Sequence, residues 1–437
     1  MKKGMLALLL LSSMCFALFA NGSQEKSASS STSVSDEVIT LTVLSSAVTQ
    51  KPEGPLVEEM YAEFERLHPN IKIGSSGITF NSSLQKVTTL AAAGALPDLY
   101  VASESTIGKF EDMGICEDFS KYLTEDEVNA LSKGVEGVTT INGKLVMYPF
   151  YSSPNALLYR IDWLEELGVE PPQTLDEMLE IAKLLTADTN GDGTIDRYGF
   201  GLIGTNDDSG AIRFIMIHRA FGARELYFEN GEWHTEVGTP ESIAAFEFFR
   251  NLKTKYNVVP PGCLENSFNE NVNLMAMEQI GMLIAGSNSV GKIFNANPDL
   301  KGKIGSIEMP KVKTTYTPVG TIGWGLNPES KHKEAAVELV KFLSSKDNAL
   351  KFVEVTGRMP VLEGIAEQSE YLKSDLFKGF TDAAEHMVTP PNAPFYSEIK
   401  TELGKTYQKL LLDPTLDVAT EVENCRNNIE KIIANNS

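Results

Sequence analysis

The sequence predicts an α/β protein of two lobes, each a mainly parallel sheet flanked by helices. Three observations carry that expectation. Short runs rich in β-branched residues alternate with amphipathic helical stretches from Val38 onward. The alternation restarts after Tyr151, and 437 residues exceed what one hydrophobic core ordinarily serves.

Taken in order, residues 38–44 (VITLTVL) read as a strand. Pro55 opens a helix with Val57, Met60, Tyr61, Phe64 and Leu67 spaced along one face. Pro69-Asn70 ends it, and a second strand begins at 71–73. A helix over 84–93, then Gly94 and Pro97, lead to a third strand at 99–102. That β-α-β-α-β order belongs to a doubly wound sheet. In the second half, Thr174 and Glu177 form a capping box ahead of Leu175, Met178, Leu179, Ala182 and Leu185. A helix at 242–255, an apolar strand at 280–285, a glycine-rich strand around 319–326 and a helix at 334–343 follow. The remaining residues read as mostly helical, broken by Pro390, Pro391 and Pro394. No tandem repeat is present, which argues against a solenoid.

The N-terminus has the layout of a secretory signal over residues 1–20. Lys2 and Lys3 precede an apolar run at 5–11, and small residues follow at Ala17 and Ala20. The run is shorter than the roughly 20 apolar residues that span a bilayer, and no later segment reads as a membrane helix. Cys15, preceded by Ser12-Ser13-Met14, offers lipidation as the alternative to cleavage after Ala20. Residues 21–35 form a serine-rich leader with too little apolar surface to order itself. Acidic residues outnumber basic ones by 59 to 38, for a net charge of −21. Such a balance excludes nucleic acid and anionic membrane surfaces as charge-driven partners. Cys116, Cys263 and Cys425 are neither a disulfide framework nor a zinc pattern. There is no GxSxG, HExxH or P-loop motif, so no catalysis is expected.

Five blocks occur in a recognisable order: PDLY at 97–100, YPFYSSPNALLYRIDWLEELGVEPPQTLDEMLEIAKLLT at 148–186, TPESIAAFEFFRNL at 239–252, IGMLIAGSNSVGKI at 280–293, and GTIGWGLNPESKHKEAAVELVKFLSS at 320–345, the last followed by TGRMPV at 356–361. Together they resemble the extracellular solute-binding proteins of ABC importers, in the sugar-binding family 1 that includes maltose-binding proteins. The resemblance implies a Venus-flytrap fold with a first lobe of 36–151 and 304–345 and a second of 152–303 and 346–437. It further implies a monomer in the periplasm or at the extracytoplasmic surface. Such a protein captures a mono- or oligosaccharide between its lobes and delivers it to the permease subunits. The chain departs from many relatives at Ser287-Asn288, where they carry an aromatic residue.

Candidate ligand contacts follow from chemistry and from this resemblance, since a sugar offers C–H faces to aromatic rings and hydroxyls to polar groups. Trp324, between Gly323 and Gly325, is expected at the cleft, with a core tryptophan as the bland reading. Tyr151 and Ser152 lie at the expected lobe crossover, Ser103 and Glu104 follow the third strand, and Ser45 and Ser46 follow the first. Asn288 would bond a hydroxyl in place of the missing aromatic, and Arg358 would reach the ligand or brace the hinge. Trp163 reads as core and Trp233 as a hairpin edge. Asp188, Asn190, Asp192, Thr194 and Asp196 have the spacing of a calcium loop with Gly193 at the sixth position. Its twelfth position is Gly199 instead of a glutamate, so a tight turn is the competing reading. A structural calcium is the one cofactor the sequence suggests. Two alternative functions remain: binding of a polyol or glycerol-phosphate-type solute, and a secreted glycosidase with paired carboxylates.

Overall fold

The computed structural model describes residues 38–318, 320–391 and 393–436. The expected secretory signal and leader, and Cys15, lie outside the described residues. Nine strands, numbered along the chain, build two sheets: β1 (Ile39–Ser45), β2 (Ile71–Gly77), β3 (Leu99–Ser103), β4 (Tyr148–Ser152), β5 (Asn155–Arg160), β6 (Tyr198–Gly201), β7 (Ile280–Gly286), β8 (Ile304–Ile307) and β9 (Thr321–Leu326). The first sheet has the order β2-β1-β3-β9-β4, and the second has the order β8-β5-β7-β6.

Each sheet contains a single reversed strand. In the first, β1 pairs parallel with β2 and β3, while β9 runs antiparallel to both β3 and β4. In the second, β5 is antiparallel to β7 and β8, and β7 is parallel to β6. The remaining strands of each sheet point one way, the mainly parallel arrangement the sequence predicts. Every residue of β3, β4, β5 and β7 is buried, because helices cover both faces of each sheet. The edge strand β2 turns mostly to solvent after Ile73, consistent with its Gly-Ser-Ser-Gly ending.

Local chemistry sets the helices. The helix Glu53–Leu67 buries Leu56, Val57, Met60, Tyr61 and Phe64. Leu67, expected on that face, is instead half exposed at the last turn. The Thr174–Glu177 capping box forms: Glu177 N–H donates to Thr174 Oγ1 at 3.1 Å, and Thr174 N–H donates to the Glu177 carboxylate. After the prolines, the helices Tyr396–Leu412 and Val418–Asn436 pack on each other at the C-terminal end.

The chain passes between the sheets three times, after Ser152, between Ile307 and Thr321, and after Thr356. These connections are bonded side by side. Ser152 and Met359 exchange two backbone hydrogen bonds of 2.9 Å, and Ser153 N–H donates to the Gly320 carbonyl at 2.7 Å. One expected boundary needs correction. Residues 304–307, assigned to the first lobe from sequence, pair with β5 in the second sheet. The reason is steric: Gly305 accommodates the Tyr159 ring, which a Cβ there would meet at 2.4 Å. The helix Lys346–Thr356 belongs wholly to neither lobe, since Phe352 packs in the core over the first sheet and Val353 in that of the second.

Candidate ligand cleft

The carboxyl ends of parallel strands are where open α/β sheets collect ligands, because loops diverge there and leave a crevice. In this chain β1 ends at Ser45 and β3 at Ser103, and the reversed β9 brings its start, Thr321, to the same edge. A cleft of about 560 Å³ opens beside them, within the usual range for small-molecule sites. The first lobe contributes Phe80, Ser83, Glu104 and Val138, and the second contributes Asp208, Ile215, Tyr316, Tyr396 and Lys400. Asn155 and Gly320 line it from the connections.

Glu104 is fixed by the turn that follows β3. Its N–H donates to the Thr321 carbonyl at 3.3 Å, and Thr321 N–H donates to its Oε2 at 3.0 Å. Burial pushes its carboxyl up to about 7, against the pull of these backbone donors; Asp208 adds to the rise and Lys400 opposes it. Lys400 and Asp208 form an ion pair on the second lobe. The Lys400 ammonium also lies 5.3 Å from the centre of the Tyr396 ring.

The two cleft tyrosines share one buried support. Tyr396 Oη donates to Glu225 at 2.6 Å, and Arg219 grips the same carboxylate through two bonds of 2.7 and 2.8 Å. The Arg219 guanidinium stacks 4.3 Å from the centre of the Tyr316 ring. Burial disfavours the charge on Glu225, yet Arg219 and the tyrosine hydroxyl together hold its carboxyl below the ordinary range. Asn155 Oδ1 is buried with no hydrogen-bond partner among the described residues, an acceptor left over at the cleft wall.

Of the residues expected from sequence, Glu104 lines the cleft. Ser103 lies just behind it, fully buried, with its Oγ 3.0 Å from Ser105 Oγ and 3.2 Å from Thr106 Oγ1. Ser45 and Ser46 are buried as well. The Ser45 Oγ accepts from Ala47 N–H, and Ser46 Oγ has no partner among the described residues. Asn288 is half-buried at the start of the helix Ser289–Ala296 and does not line the cleft.

Three expectations are corrected, and for Arg358 one of its two alternatives holds. Trp324 is 2 % exposed, packed in the core over the first sheet with its ring 5.9 Å from Phe150. Alternation along β9 sends Ile322, Trp324 and Leu326 to the helix-covered face. The flanking glycines serve packing: a Cβ on Gly323 would meet the Tyr148 carbonyl, and one on Gly325 the Tyr100 ring, both at 2.3 Å. Tyr151 is equally buried, stacked 5.3 Å from Phe352 and beneath the Arg358 guanidinium. Ser152 is held by its backbone in the bridge to Met359. Arg358 turns to Glu53, Gln50 and Ser153, so it braces the connections and does not face the cleft.

The oxygens of the acidic loop accept from the loop's own backbone. Asp188 accepts from the N–H groups of Gly191 and Gly193, Asn190 from Asp192, Asp192 from Thr194, and Asp196 from Thr189. Among the described residues no group of three or more His, Cys, Asp or Glu side chains is placed to hold a metal ion. The loop thus has the form of the competing reading, a tight turn that closes on its own backbone.

Phe80, Asn155, Asp208, Tyr316, Tyr396 and Lys400 escaped the sequence reading. Pro394-Phe395-Tyr396, an aromatic pair directly after a proline cluster, was the available signal for one of them. The others come from loops and helix starts that carry no distinctive pattern.

Two lobes joined by three connections, with a polar and aromatic cleft between their strand ends, define a class of binding protein that closes on small solutes. The model of the family described as bacterial extracellular solute-binding protein matches residues 48–350, and the chain belongs to that family. Among its relatives, a binding protein of Brucella abortus is 25% identical over 360 residues, covering 82% of this chain and 85% of the relative. The maltotriose-binding protein of Pyrococcus abyssi is 22% identical over 377 residues, covering 84% and 76%. Among solved structures, an ABC transporter solute-binding protein of Thermotoga lettingae bound with α-D-tagatose superposes with a TM-score of 0.76 at 24% identity, covering 91% of this chain and all of that one. The maltose/maltodextrin-binding domain of Bdellovibrio bacteriovorus bound to maltotriose gives 0.71 at 25% identity, again over 91% of this chain and 100% of that one. The family resemblance read from the five blocks thus holds, and with it the two-lobe fold. The family is described as extracellular and solute-binding, and these neighbours are binding proteins.

Proposed function

We propose that this chain captures a carbohydrate in the interlobe cleft and presents it to the permease subunits of an ABC importer. The observation that carries the reading is the pairing of two supported tyrosine rings with a carboxyl, an amide and an ion pair around one cleft. Rings present flat apolar faces to the C–H side of a sugar, and the polar groups accept or donate to its hydroxyls. In this reading Glu104 and Asn155 bond hydroxyls, while Tyr396 provides a stacking face and the buried Tyr316 lines the wall. The sugar-bound relatives support the same ligand class. Hinge bending at the three connections would close the lobes on the ligand, which is the form a permease recognises.

The test is calorimetric titration and melting shift of the purified protein with a panel of mono- and oligosaccharides. A saturable response to at least one saccharide, with compaction in small-angle scattering, is expected. Silence across the panel would remove the carbohydrate assignment.

A further inference from the structure

We infer that the cleft sorts saccharides by charge, admitting neutral ones and rejecting uronic acids and sugar phosphates, with Glu104 and the Asp208–Lys400 pair as the sorting groups. The inference rests on the carbohydrate reading and narrows its ligand class. The charged side chains that line the cleft among the described residues are Glu104 from the first lobe and Asp208 and Lys400 from the second. Two carboxylates thus face one ammonium.

That ammonium is already engaged. Lys400 pairs with Asp208 and lies over the Tyr396 ring, so an incoming carboxylate or phosphate would have to displace Asp208 to reach it. Across the cleft it would meet Glu104, whose backbone donors hold its Oε2 in place. Arg358, the cation at the connections, is likewise engaged by Glu53. A neutral hydroxyl faces none of these obstacles and finds carboxylate acceptors on both walls. Because burial lifts the Glu104 carboxyl to about 7, its repulsion is present above that pH, where the carboxyl is ionised. Selectivity would then come from a repulsive element as well as from attractive contacts.

The arrangement also shows how to reverse the preference. The Asp208 side chain is 66 % exposed, and Asp207 supplies the hydrogen bond that caps its helix through Gly210 N–H. Asp208→Asn should therefore fold, and it leaves Lys400 as an unengaged cation in the cleft.

The experiment titrates the full mature chain with matched pairs: glucose-series and galactose-series saccharides against their uronate and 6-phosphate counterparts, near pH 8. In the unsubstituted protein the acidic member should bind at least about 100-fold more weakly than its neutral partner. Asp208→Asn should narrow that ratio by about tenfold or more, and Glu104→Gln should narrow it as well. The ligand-free melting temperature of each variant reports folding separately. Acidic members binding within about tenfold of the neutral ones would overturn the inference while leaving the carbohydrate reading intact. An unchanged ratio in both folded variants would overturn the assignment of these residues. No response to any saccharide, neutral or acidic, would overturn both readings.

Discussion

The Arg358 guanidinium donates to the Glu53 carboxylate through two bonds of 3.0 and 3.2 Å, joining the third connection between the sheets to the helix Glu53–Leu67. Glu53 is buried at 3 % side-chain exposure and Arg358 mostly so at 12 %. The same guanidinium donates to Ser153 at the first connection and covers the Tyr151 ring. Meanwhile Gly357, one residue before, leaves no room for a side chain: a Cβ there would meet the Ser287 carbonyl of the second lobe at 2.4 Å. One arginine therefore holds the hinge strands, the first lobe and an aromatic ring in a single contact set.

Removing only the cation should be costly, because it strands a buried carboxylate. Arg358→Met is expected to lower the unfolding free energy by about 3–5 kcal/mol in denaturant titrations. The pair Glu53→Gln with Arg358→Met should recover part of that loss, since no unpaired buried charge then remains. A single variant with unchanged stability would show that the contact contributes nothing.

The raised carboxyl of Glu104 makes a separate, signed prediction for pH. Its value of about 7 in the folded chain lies above that of an exposed glutamate in the unfolded chain. Between those values the native state binds the extra proton, so the contribution to stability is full below the unfolded value and disappears as pH rises through 7. The difference in melting temperature between the wild type and Glu104→Gln should therefore shift against the wild type on going from about pH 5 to about pH 8. A difference independent of pH would mean that the carboxyl titrates normally.

Tyr396 separates ring from hydroxyl. Tyr396→Phe keeps the face offered to the cleft but leaves Glu225 with one donor fewer, for a stability loss of about 1–3 kcal/mol. Tyr396→Ala removes the face as well, and should weaken saccharide binding by about tenfold. If the two variants lost affinity equally, the hydroxyl and its buried support would matter and the stacking face would not.

Much of this fold was legible because its signals are local. The Thr174–Glu177 capping box and the alternation of β-branched runs with amphipathic helices need no knowledge of distant residues. The order of the strands, and hence which loops meet, is set by pairings between residues far apart, such as β9 inserting between β3 and β4. That is why the return of the chain was placed at 304 when Ile304–Ile307 instead completes the edge beside β5. The cleft was harder still. Glu104 was recoverable because it directly follows a buried strand, but Asp208 and Lys400 come together only through the packing of the helices Asp208–Ala220 and Tyr396–Leu412. Arg358 was read as having two possible directions, and a sequence holds no record of which way a side chain turns.

Trp324 gives the sharpest contrast between reading a residue type and reading its place. A tryptophan between glycines suggested a sugar platform, yet its ring is sealed over the first sheet, and its Nε1 has no hydrogen-bond partner among the described residues. Replacing it with phenylalanine removes buried volume but also removes an unsatisfied indole N–H, so the two effects oppose each other. Trp324→Phe should therefore destabilise by about 1–2 kcal/mol, well short of the roughly 3–5 kcal/mol expected for truncation to alanine. Saccharide affinity should change by no more than about twofold, because the ring lies outside the cleft. Denaturant titration and calorimetry on the same preparation would read both quantities. A tenfold loss of affinity at unchanged stability would return this indole to the binding site.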